Sequence, residues 1–188
     1  MKRAIGFSVL FFWTAVACSM QLAMLGFMPR LDLSGSVLSR ALVPDISTIV
    51  LVATIGRFDR RDALWIAIAV ASARVAFTSS PPPAVLCGTI VTAFIAEGLS
   101  RLSELDRPLM RIVGAGLGSL AFSAWLLFVD FAYISESQAR GILGFGDVGG
   151  EAVLVPILTA MSSAVIAFAL WPVFRHLPGL GRLERRDF

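Results

Sequence analysis

Residues 62–83 read DALWIAIAVASARVAFTSSPPP. From Asp62 to Thr78 the run is almost wholly apolar and predicts a helix that carries, beyond Asp62 at its start, one charge, Arg74. Ser79, Ser80 and three successive prolines, Pro81 to Pro83, then force a tight reversal, because consecutive prolines cannot continue a helix. The apolar run from Ala84 to Ser100 must therefore return beside the first. Such an apolar hairpin is the repeating unit of a multi-pass membrane bundle.

Working outward, four more apolar runs predict helices over residues 4–28, 41–56, 109–134 and 152–174. The first stops at Pro29-Arg30. The second has Pro44 and Asp45 in its opening turn, where a missing N–H costs nothing and a carboxylate suits the helix dipole. The fifth follows Pro108, and the sixth contains Pro156 and Pro172 near its two ends. Glycines 141, 144, 146, 149 and 150 mark the segment between them, Ser135 to Glu151, as a loop. The expected fold is an all-α membrane protein, a compact bundle of six transmembrane helices over residues 1–174, followed by a basic tail, 175–188.

Composition agrees. The 188 residues are 57% hydrophobic and 15% charged, with mean hydropathy +0.82, whereas soluble domains carry about 25% charged residues. At about 20 apolar residues per crossing, six helices leave no room for a second globular domain. Lys2 and Arg3 ahead of an apolar run resemble a signal peptide, and Ala15-Val16-Ala17-Cys18 loosely echoes a lipoprotein cleavage box. The run continues to Met28, beyond an h-region of about 7–15 residues, which favours an uncleaved first helix.

The net charge of +3 reflects short basic runs between apolar stretches, a pattern of membrane topology and not of nucleic-acid binding. With a cytoplasmic N-terminus, 12 of the 16 basic residues fall inside, only Arg30, Arg40 and Arg140 fall outside, and Arg74 lies within helix three. Both termini are thus expected in the cytoplasm.

Polar groups inside apolar helices are costly and face the bundle or a cavity. At 1.5 Å rise per residue, Asp45, Arg74 and Asp130 fall near one depth in the outer half. Arg74 is expected to pair with Asp130, Asp45 or both, the alternative being an unpaired side chain that snorkels to the interface. Glu97 stands one turn before Arg101, the spacing of a local ion pair. Gln21 is expected to bond across helices. Gly114 and Gly118 have the small-xxx-small spacing that lets helix backbones approach, inside the protein or against a partner's helix.

Nothing suggests an enzyme or a cofactor. The single histidine, His176, lies in the tail, and Cys18 and Cys87 form no metal-ligand spacing, so no metal site and no disulfide framework is expected. The run Gly144 to Gly150 lacks the Lys-Ser/Thr of a phosphate-binding loop.

The order of features resembles the MreD family of rod shape-determining membrane proteins. The likeness rests on the size and six-helix profile, on Pro44-Asp45 opening helix two, and on Ser79-Ser80-Pro81 after helix three. Leu170-Trp171-Pro172, leading into the basic tail from Arg175 to Arg186, completes it. The chain departs from the family in its Ala-rich helix three, with Arg74 where an aspartate is usual. The resemblance implies a fold similar to the substrate-binding subunit of energy-coupling-factor transporters. It also implies a non-enzymatic scaffold of the cell-elongation machinery that builds peptidoglycan in the bacterial inner membrane. The partners implied are MreC, through it RodA and a class B penicillin-binding protein, and the MreB filament, with membrane lipids at the basic inner loops. The same fold similarity supplies the alternative, a subunit binding a vitamin or metal for uptake, with Asp45, Arg74 and Asp130 beside Trp125 and Tyr133 around a pocket. A small membrane enzyme acting on lipid is the third class.

Overall fold

A computed structural model describes residues 2–27, 42–55, 60–102, 108–138 and 148–175. Among them are six α-helices and no strand. In chain order these are α1 (Lys2–Phe27), α2 (Ile46–Ile55), α3 (Ala63–Val75), α4 (Pro82–Leu102), α5 (Pro108–Gln138) and α6 (Val148–Arg175), with a 3-10 turn at Arg60–Asp62 before α3. The glycine-rich run from Gly144 to Asp147, the basic residues Arg30, Arg40, Arg57, Arg107 and Arg140, and the tail beyond Arg175 lie outside the described residues.

Four helices, α1, α4, α5 and α6, contain apolar stretches of 20 to 23 residues, long enough to cross a membrane. The expectation of six equivalent crossings is not met, because α2 has 10 residues and α3 has 13. At about 1.5 Å per residue, α2 is about 15 Å long against a hydrocarbon core of about 30 Å. The shortfall has local causes. Asp45 stands before α2 as its cap instead of inside its first turn, and α3 closes at Val75, where Ala76 N–H turns back to Ala73 O (3.2 Å) and Phe77 N–H to Arg74 O (3.0 Å). Conversely α4 starts earlier than expected. Pro82 and Pro83 occupy its first two positions, where no N–H partner is lost, and Ala84 N–H reaches back to Pro81 O at 2.9 Å.

Every residue of α2 is buried, as befits a short helix with no charged residue and with hydroxyls as its only polar side chains. It touches each of the other five helices. These form a ring in the order α1, α3, α4, α5, α6. Among the described residues the ring is open between α1 and α6, and an apolar groove of about 810 Å³ runs there between Met20 and Met24 on one side and Leu158, Met161 and Val165 on the other. The outer surface carries exposed Phe12, Trp65, Phe94, Phe128, Val165 and Phe168, large apolar side chains that lipid accommodates. The chain is a helical membrane protein.

The close approach of α2 and α5 depends on Gly118. A Cβ there would lie 3.1 Å from Thr48 Cγ2, 3.2 Å from Thr92 Cγ2 and 3.3 Å from Val52 Cγ2. Gly118 thus packs inside the protein, and Gly114 on the same helix is buried. Gly118→Val should therefore destabilise the bundle by about 1–3 kcal/mol, the usual cost of overpacking. Gly98→Val in α4, where a Cβ meets nothing within 4 Å, should leave the melting temperature in detergent almost unchanged.

Candidate functional site

The polar groups inside the bundle converge at the start of α2. Asp45 caps that helix: its Oδ1 accepts the Thr48 N–H (3.1 Å) and the Ser47 hydroxyl (2.7 Å). Its Oδ2 accepts the Thr48 hydroxyl (2.6 Å) and Arg74 Nη2 (2.5 Å). Arg74 Nη1 donates to Thr48 Oγ1 at 3.2 Å, and the guanidinium lies 3.5 Å over the Phe122 ring of α5. The Asp45 N–H donates to Ser163 Oγ of α6 at 2.8 Å; the Ser163 hydroxyl donates to Thr159 O (2.6 Å) and sits 3.1 Å from Ser119 Oγ of α5. One acid therefore ties together α2, α3, α5 and α6.

The placement of the two charges follows from the helices that carry them. Asp45 faces the positive end of α2, and Arg74 sits in the last turn of α3, where a cation is favoured. Their side chains are 4% and 7% exposed, so the unpaired, snorkelling arrangement of Arg74 does not occur. Asp130 does not join them: it is exposed on α5. The spacing along the sequence places Asp130 near the depth of Arg74, but its side chain lies on an exposed side of α5. Trp125 also serves a different purpose, donating its indole N–H to Ala84 O at 2.9 Å. Its ring fills the space left by Gly88, where a Cβ would meet Trp125 Cδ1 at 2.7 Å. The Tyr133 side chain lies outside the described residues.

Beside the ion pair is a cavity of about 230 Å³, with Cys18 and Gln21 of α1, Ser47, Arg74 and Thr78 among its walls. Gln21 makes no side-chain hydrogen bond among the described residues and faces this cavity instead of bridging helices. Away from the cluster, Glu97 and Arg101 form the expected i, i+4 pair at 2.7 Å. The contributions of Ser47, Thr48, Ser163 and Phe122 were absent from the sequence reading. The string Asp45-Ile46-Ser47-Thr48 carried a signal for two of them, an acid followed at two and three residues by hydroxyls.

Removing one member of a buried pair leaves an uncompensated charge and costs about 3–5 kcal/mol. Arg74→Leu should therefore unfold the protein markedly earlier in a denaturant titration. Adding Asp45→Asn, which keeps a capping side chain but no charge, should recover a measurable part of that loss. Asp130→Asn should shift stability by less than about 0.5 kcal/mol, as surface changes do.

No family model matches the chain, and no curated protein or solved structure matches it.

Proposed function

We propose that the chain is a non-enzymatic scaffold of the bacterial cell-elongation machinery in the inner membrane, holding an MreC-like protein. The observation that carries this reading is the saturation of Asp45. Its two carboxylate oxygens accept four hydrogen bonds from Ser47, Thr48 and Arg74. The buried carboxylate is thereby spent on joining helices, which suits a bundle whose task is to present a surface. The order of helices around Pro44-Asp45 and the turn at Ser79-Ser80-Pro81 support the resemblance to MreD on which the partners rest.

Topology supports it as well. Four crossings with α2 and α3 as a short pair, or six crossings, are both even counts, and either leaves both termini on one side. The excess of Lys and Arg in the intervening segments supports the cytoplasm as that side. Inner basic turns then face anionic lipid and the MreB filament, while the outer face receives MreC and, through it, RodA and a class B penicillin-binding protein.

Two measurements test the proposal. Reporter fusions at each end should both read cytoplasmic; an extracellular reading at either end removes the topology. After mild detergent extraction, the tagged protein should retain its MreC-like partner at defined stoichiometry. Recovery without that partner but with a stoichiometric small solute would replace the scaffold with an uptake subunit.

A further inference from the structure

The cavity beside Arg74 has features that holding the helices together does not require. Its volume of about 230 Å³ would take about seven waters at about 30 Å³ each. It falls just under the range of about 300–1,000 Å³ typical of drug-sized ligands. Five helices contribute to its wall: Cys18 and Gln21 from α1, Ser47 from α2, Arg74 near the end of α3, Val85 from α4 and Phe122 from α5. Phe77 and Thr78, just past α3, complete the polar and aromatic parts.

The charge balance of this wall is closed. Arg74 is its one cation, and the Asp45 carboxylate lies 2.5 Å away. A bound anion would bury one negative charge in excess, and a bound cation would face a guanidinium already held in place. Both are disfavoured where water is scarce.

The hydrogen-bonding capacity, in contrast, is lopsided. A guanidinium offers five N–H donors and no acceptor, and the bonds to Asp45 and Thr48 use two of them. Thr78 Oγ1 accepts the Ser80 N–H at 3.2 Å, so its hydroxyl proton is available. Gln21 adds an amide that bonds to nothing among the described residues. Ser47 alone has already spent its proton, on Asp45. Around these donors the wall is apolar, with the Phe77 and Phe122 rings and leucines from α1 and α5.

We infer that this cavity is a binding site for a small uncharged molecule bearing an acceptor oxygen, such as an amide or ketone carbonyl, on an apolar ring-sized body. The oxygen takes N–H groups of Arg74 and Gln21, and the ring lies among Phe77, Phe122 and Leu22. The site goes beyond the scaffold reading and does not depend on it.

Cys18 on the cavity wall provides the test. In full-length protein carrying Cys87→Ala, Cys18 is the only thiol, and its alkylation by N-ethylmaleimide in detergent can be followed by intact mass. Benzamide, benzoate and benzylamine then serve as neutral, anionic and cationic probes on the same ring. A fragment of this size binds with a Kd of about 1 mM, so about 5 mM benzamide should slow labelling about sixfold, saturably. Benzoate and benzylamine should leave the rate within about twofold, the difference reflecting the cost of burying an unmatched charge. Gln21→Leu, checked for an unchanged melting temperature, should weaken the protection by benzamide. A Cys18 that never reacts, no protection by benzamide, protection by benzoate as great or greater, or equal protection by all three would each overturn the inference.

Discussion

A carboxylate and a guanidinium enclosed in a helical bundle inside lipid must find each other, and the ion pair of Asp45 and Arg74 is the constraint around which this structure is arranged. Neither side chain reaches bulk water. In a medium that offers no replacement partner, the bundle can close only in the arrangement that brings the start of α2 against the end of α3. The serine and threonine around the carboxylate follow from the same need, because its remaining lone pairs must also be met. Ser163 extends that arrangement to α6 and Phe122 extends it to α5.

This geometry separates the two roles that an intramembrane charge can have. A reactive or substrate-binding carboxylate keeps acceptor capacity for something that arrives from outside. Asp45 keeps little, since capping and pairing occupy both of its oxygens. Arg74 differs, for a guanidinium has donors to spare after making the pair. The functional asymmetry of the site is therefore on the arginine side, next to the cavity, while the aspartate side is structural.

Much of the helix pattern was legible in the amino-acid order, and the reasons are specific. Apolar runs interrupted by Pro29, the triple proline and Pro108 located the helices, and the small-residue spacing at Gly114 and Gly118 located a close packing contact. What could not be read was rotation about each helix axis. In lipid both faces of a helix accept Leu, Val and Ala, so depth alone left Asp45 and Asp130 as equal partners for Arg74, and only packing chose between them. The central position of α2 was hidden for a related reason, since a run such as Ile49-Val50-Leu51-Val52 suits lipid and protein neighbours alike. Ser163 was indistinguishable from its neighbour Ser162, whose hydroxyl bonds the Thr159 carbonyl of the same helix.

The enclosure of α2 also bears on how the protein is made. The ribosome delivers this short helix before four of the five helices that surround it, and its capping acid meets Ser163 only after more than a hundred further residues have been synthesised. A newly inserted α2 is too short to anchor itself and carries an acid that lipid rejects. Its acid gains a counter-charge only when α3 brings Arg74, and the contact with α6 closes last.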